Sequence, residues 1–433
     1  MGNMDAEELK RRRQEREALR KKRLARQRKL AAGLIAGCVV LILCTVLIIG
    51  VARKQQPAAA QTTPPQTAMT TTEGTTAEEP QALEADNTVI RIAAVGDLNV
   101  TDQTVDAGVT DTGFDYTRVF MDVVPLLSEA DLTVLNFEGN LAGAPYGAAG
   151  EGSAPQQMIQ AVANAGVDMV QMANSCSINH GISGLGQTLQ EIRLTGMEPL
   201  GAYADEEEFR KSGGYVIRQV QGVRVAFVAF TKGMGNLGLP GGSENCVNTL
   251  YTDYDSTYQN VDKEGITRIL RKLQEEEVPD VTIALLHWGS EYNDQISDSQ
   301  KQIRDLMYEE GVDAIIGTHS HYVQEMSLDK EKNRFLAYSL GDFFSDGERA
   351  GSDYSVVLEL EITRNNLTGD TTITDYSYTP IYTRTGENGL QVVRLDAAMA
   401  AFEADNIQKV SQEEYDAMAN ARQRIEERIH PEG

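Results

Sequence analysis

Five histidines stand in 433 residues, and four of them (His180, His287, His319 and His321) follow short apolar runs; only His430 lies in a charged tail. Imidazole moves protons near neutral pH and is a common metal ligand. His319 and His321 are spaced His-x-His in "GTHSH". Two rings in that alternation, after an apolar strand, can converge on one metal or on two neighbouring metals if the loop curls. Other run ends carry carboxylates and amides: Asp97 in "GD", Asn136 and Glu138 in "NFEGN", Asn174 to His180 in "ANSCSINHG". Asp, Glu, Asn and His supplied by separate segments form the mixed oxygen–nitrogen set that Mn, Fe or Zn uses. One or two such ions would hold an oxyanion and generate a hydroxide nucleophile. Each piece alone has a plainer reading: Gly96-Asp97 as a turn, Glu138 as a loop acid, His287 as a buried histidine beside the only tryptophan, Trp288.

The elements that would position these residues are legible from period and punctuation. "TVIRIAAVGD", "ADLTVLNFEGN", "AGVDMVQMANS", "VPDVTIALLHWGSEY", "EGVDAIIGTHSHY" and "RFLAYSLGDFF" are apolar, turn-bounded runs, as expected of strands covered on both faces. Helical patterns fall between them at 119–129, 155–165, 184–195, 260–276 and 298–310. Alternation of this kind predicts α/β layers, with ligands beyond the carboxyl ends of the strands. "GGYVIRQVQGVRVAFVAFT" reads as a hairpin about Gln221-Gly222, and 354–363 with 371–383 add antiparallel strands. A mixed α/β sandwich fits better than a purely doubly wound sheet. Residues 394–433 form a charged C-terminal helical extension.

Composition divides the remainder. Residues 1–29 carry twelve Lys or Arg against five Asp or Glu, while the whole chain is −25, leaving the rest near −32. The 23 residues 30–52 carry no charge and are flanked by basic pairs. About 20 apolar residues cross a bilayer as a helix. The basic excess before this span predicts a cytoplasmic N-terminus and an extracellular main domain. The tail then reads as topogenic charge beside anionic lipid, not a nucleic-acid site. Residues 53–87, rich in Thr, Pro, Ala and Gln, are too poor in large apolar groups to fold and read as a flexible linker. Cys38 and Cys44 lie in the span, so Cys176 and Cys246 alone could pair outside it.

The ordered set "GD … NFE … ANSCSINHG … HWGSEY … GTHSH … SLGDF" resembles the CapA capsule-synthesis family over roughly residues 88–350. The resemblance implies a metallophosphatase-like (calcineurin-type) four-layer α/β/β/α sandwich at 88–393 and a role in poly-γ-glutamate-type capsule biogenesis. It implies Asp97, Glu138, Asn174, His287, His319 and His321 as metal-binding positions, with Glu138 able to bridge. Trp288, Glu291 and Tyr292 of "HWGSEY" would line the substrate pocket. The substrate would be an anionic polymer or phosphoester, and membrane polymer-synthase subunits the partners.

This chain departs from the family's usual "ANNHALDYG". Ser175 replaces an asparagine, Cys176 the histidine, Asn179 the aspartate and His180 the tyrosine. Thr318 stands for a frequent histidine and Asp342 for an asparagine. The family histidine lost at 176 would serve the transferring group as an acid or charge stabiliser. Three readings of the loop stand open. His180 takes over that role with Asn174; Cys176 acts as acid or soft ligand, or pairs with Cys246; or hydrolysis is lost and the pocket binds only, in a polymer-guiding or synthase-organising module.

Overall fold

The computed structural model describes residues 86–386, 389–404 and 410–431. The chain divides into two units, Met1–Asp86 and Asn87–Gly433, and every described strand and helix belongs to the second. The basic tail, the span at 30–52 and the linker up to residue 85 lie outside the described residues. Among the described residues no helix is long and apolar enough to cross a membrane.

In chain order the strands are β1 (Asn87–Asn99), β2 (Val109–Thr110), β3 (Gly113–Phe114), β4 (Leu132–Glu138), β5 (Met169–Gln171), β6 (Glu198–Leu200), β7 (Val216–Val220) and β8 (Val223–Thr231). They continue as β9 (Val281–His287), β10 (Ala314–Thr318), β11 (Met326–Asp329), β12 (Arg334–Ala337), β13 (Asp342–Phe344), β14 (Tyr354–Asn365), β15 (Thr371–Gly386) and β16 (Gly389–Arg394). One sheet has the order β16-β15-β14-β1-β4-β5-β6, with β13 also on β1; a second runs β11-β12-β10-β9-β8-β7. β1, β4, β5 and β6 are parallel, while β14 to β16 pair antiparallel. In the second sheet β12, β10, β9 and β8 are parallel between antiparallel edges. The mixed pairing follows from the connections, since a tight turn can only join antiparallel neighbours. β7 and β8 meet at Gln221 (φ 46°) and Gly222 (φ 87°), the two positive-φ positions that a two-residue hairpin needs.

Period-two burial explains the layers. Val225, Phe227 and Ala229 of β8 join the main core with Ile92 of β1 and Val134 of β4, so the two sheets share that core. Ala226, Val228 and Phe230 face the other way, onto Ile266, Ile269, Leu270, Ile303 and Met307. Those residues belong to helices Lys263–Lys272, capped by Asp262, and Asp298–Glu309, capped by a Ser297–Gln300 box. Truncating a fully buried Phe227 to Ala would cost about 3–5 kcal/mol. Helices Gln156–Asn164 and Gly181–Leu194 bury Met158, Val162, Leu185 and Leu189 in the main core. The C-terminal helix Gln412–Ile429 does the same with Met418 and Ile425.

The register brings strand ends of both sheets together. Asp97 lies opposite Asn136 on β4 and opposite Asp342 on β13, while His287 lies opposite Thr318. The His319 backbone N–H donates to Asp97 Oδ2 at 3.0 Å and so ties the sheets at the site. Gly96 permits the close approach, since a Cβ there would lie 1.7 Å from the Gly341 carbonyl oxygen.

Candidate metal centre

Asp97 is fully buried at the end of β1 and belongs to two ligand sets. In one, donor atoms of Asp97, Glu138 and His287 lie within 4.8 Å of one another; in the other, those of Asp97, His321 and Asp342 do. Glu138 Oε1 stands 3.6 Å from His287 Nε2, and Asp342 Oδ1 lies 2.7 Å from His321 Nδ1. The His287 and His319 rings are 4.4 Å apart between centroids. His319 (φ 89°) and His321 (φ 60°) hold left-handed backbone that non-glycine residues rarely adopt, a strain of about 1–3 kcal/mol each that tends to gather at functional sites.

Burial governs the electrostatics. It drives the Asp97 carboxyl up to about 7, with Asp342 adding to the rise and His321 opposing it. Glu138 is pushed well above its ordinary range by burial and then by Asp97. Burial also holds His287 and His319 below the usual imidazole range, with neighbouring cations adding to it. For His321 burial acts downward too, but the charge and hydrogen bond of Asp342 prevail and raise it to about 10. Glu138 Oε1 is buried with no hydrogen-bond partner. An orphaned carboxylate oxygen amid crowded acids and imidazoles leaves an unmet demand for a cation. The donor set fits one or two divalent ions of the Mn, Fe or Zn class.

The expected residues do not all face the centre in the same way. Asn174 is buried, and its amide takes part in holding the loop. Nδ2 donates to Asn136 Oδ1 at 3.1 Å and to the Phe137 carbonyl at 2.7 Å, while Oδ1 accepts the Cys176 N–H at 3.0 Å. It shapes the loop, and Oδ1 keeps a second lone pair beyond that one bond. Its neighbour Ser175, absent from the expected set, faces the centre instead: its Oγ lies 2.9 Å from His287 Nε2 and 3.4 Å from His319 Nδ1. Asp342, expected only as a departure from the family pattern, joins a ligand set. His180 does not occupy the place of the lost histidine, since its Nε2 bonds the Gly150 carbonyl at 2.9 Å. Cys176 and Cys246 are both free. The Cys176 thiol is pushed up by burial and then by the charge of Glu138, which marks it as a neutral group beside the acids.

Trp288 does not line the pocket. It follows His287 on β9 and so faces the opposite side, stacked on Tyr338 at 5.7 Å with Nε1 donating to the Tyr338 carbonyl at 2.9 Å. Tyr292 does sit at the rim, 40% exposed and stacked 4.7 Å from the His321 ring. Glu291 is exposed beside it, and its charge reaches Glu138.

Residues 91–347, more than half of the chain, match the model of the family described as bacterial capsule synthesis protein PGA_cap. The chain belongs to this family. Two curated relatives carry related names. The capsule biosynthesis protein CapA of Bacillus anthracis is 26% identical over 269 residues, 60% of this chain and 61% of that protein. The PGA biosynthesis protein CapA of Bacillus subtilis is 22% identical over 293 residues, 67% of this chain and 72% of that protein. The match therefore spans less than two thirds of the Bacillus anthracis protein's length. A solved calcineurin-like phosphoesterase of Bacillus subtilis, 16% identical, covers 78% of this chain and 99% of its own with a TM-score of 0.41. The PGA_cap match ends at Gly347, just past Asp342, so it takes in every residue of both ligand sets.

Proposed function

We propose that this PGA_cap protein is a membrane-anchored, extracytoplasmic component of capsule or exopolymer biosynthesis, of the poly-γ-glutamate type. It holds one or two divalent ions with Asp97, Glu138, His287, His319, His321 and Asp342, and receives there an anionic group of the polymer or of a phosphoester. When bound, the ions supply Lewis acidity toward that oxyanion. Family membership and the names of the two Bacillus relatives support the biosynthetic role. The uncharged span at 30–52 supports the anchor, and adjacent synthase subunits in the membrane are the partners proposed. The single observation that carries the site is Asp97 serving two ligand sets beside the unpartnered Glu138 Oε1.

One arrangement favours a binding role over hydrolysis. Where the family pattern has a histidine this chain has a neutral thiol, and His180 is engaged with Gly150. The protein then guides the polymer or organises its synthase through the metal centre. The test is deletion in the native host, complemented with wild type or with Asp97→Asn, followed by chemical analysis of the surface polymer. Wild type should restore the polymer and Asp97→Asn should not. Full restoration by Asp97→Asn would refute the role of the centre, and an unaltered polymer in the deletion strain would refute the biosynthetic role.

A further inference from the structure

The parallel strand ends around the centre each present a side chain to it: Asp97 from β1, Glu138 from β4, His287 from β9 and His319 just past β10. β8 is the neighbour of β9, and the residue following its end is Lys232. Thr231 lies opposite His287, and the Lys232 N–H donates to the His287 carbonyl at 2.8 Å. The side chain is half-buried. Its Nζ donates to the Gly289 carbonyl at 2.7 Å and lies 4.8 Å above the Tyr258 ring. Among the described residues no carboxylate forms an ion pair with it, although the charge of exposed Glu291 acts on it. An ammonium has three donors, so one carbonyl and one ring face leave it capacity for an anion.

Its location works against metal binding. Its backbone is bonded to His287 and its Nζ is fixed on the Gly289 carbonyl, two residues on, so its charge opposes a divalent ion on that histidine. A cation so placed is useful toward an anion held on the metal. A second cation stands on the rim beyond His321, with Arg349 5.2 Å over the Tyr292 ring that stacks on that histidine.

We infer that Lys232 is a binding residue for an anionic oxygen group, phosphate or carboxylate, of the ligand that the metal centre receives. The inference rests on the proposed metal centre. The site thereby selects an anionic ligand although the chain as a whole is strongly acidic.

The test uses the full-length chain in mild detergent, loaded with Mn²⁺, its metal content measured before any titration. Inorganic phosphate and glutarate are titrated separately into wild type, Lys232→Met and Lys232→Arg, and whichever probe the wild type binds identifies the group. Lys232→Met should weaken that probe at least about tenfold. Lys232→Arg should retain most of the affinity, and Mn²⁺ should bind Lys232→Met as tightly as wild type or more tightly. These opposite signs are not expected of a lysine that merely supports the fold. Equal probe affinity in wild type and Lys232→Met overturns the inference, as does a wild type that holds metal but binds neither probe. Loss of Mn²⁺ from Lys232→Met also overturns it, by making the residue a structural support. A wild type without metal overturns the underlying reading first, and the inference with it.

Discussion

The Ser175 hydroxyl lies 2.9 Å from His287 Nε2, while Thr318 Oγ1 holds the opposite ring nitrogen, Nδ1, at 3.0 Å. A threonine oxygen accepting from Nδ1–H leaves the Nε2 lone pair directed at the centre, the tautomer a metal requires. Thr318 stands where the resemblance led one to expect a histidine, and here it orients a ligand. Thr318→Val keeps the shape and removes the acceptor. Its Mn²⁺ affinity should fall about 10–100-fold with the fold intact, as measured by calorimetric titration. Unchanged affinity would mean that Thr318 does not set the ring.

Asn174 should behave in the opposite way. Asn174→Ala strands Asn136 Oδ1 and the Phe137 carbonyl without their donor, and frees the Cys176 N–H. The expected loss is roughly 2–3 kcal/mol in chemical denaturation, with metal stoichiometry at the wild-type level. His287→Ala should remove metal. If Asn174→Ala loses metal while keeping its stability, the amide is a ligand after all.

Stability without metal should fall as pH rises above about 6.5; below that, His287 and His319, which burial holds under the imidazole range, act the other way. Asp97 is raised from 3.8 to about 7, so the fold favours its protonated form; that contribution is complete below 3.8 and lost as pH climbs through 7. Glu138 acts in the same direction. His321, raised from 6.5 to about 10, adds stability that is complete below 6.5 and lost as pH passes through 10. A divalent ion binds the ionised acids, so it should offset the loss most where they are ionised. The gap in melting temperature between chelator-treated and Mn²⁺-loaded protein should widen from about pH 5 to about pH 8. A gap that stays constant would place the ion elsewhere.

The strand framework was legible because parallel strands covered on both faces write themselves as apolar runs, and the register then delivers Asp97, Glu138, His287 and His319 together. Side-chain direction was harder to read. Trp288 was expected as a pocket wall from the resemblance of "HWGSEY", although alternation along a strand sends it and His287 to opposite faces. That signal was present in the sequence. Ser175 and Asn174 differ by one position in a turn, where no period applies, so the contact of Ser175 with His287 and His319 could not be read there. The orientation of His180 depends on a carbonyl 30 positions away, which no local pattern encodes.

The thiol of Cys176 offers the sharpest test of what the centre can still do. Its backbone is held on both sides, the N–H by Asn174 Oδ1 at 3.0 Å and the carbonyl by Asn140 Nδ2 at 2.7 Å. A new side chain should therefore enter the same space, within the field of Glu138 and Asp97. Cys176→His would restore an imidazole where the family pattern has one. General acid–base catalysis is worth about 10²–10⁴-fold. With Mn²⁺ loaded, Cys176→His should hydrolyse bis(p-nitrophenyl) phosphate at least about 100-fold faster than wild type. Adding His319→Ala should abolish the gain, and adding His180→Ala should leave it intact, because His180 is tied to Gly150. A metal-loaded Cys176→His with no gain would show that the missing imidazole is not what holds hydrolysis back. A wild-type activity that His180→Ala removes would instead make His180 the acid, and the hydrogen bond to Gly150 would then have to break during turnover.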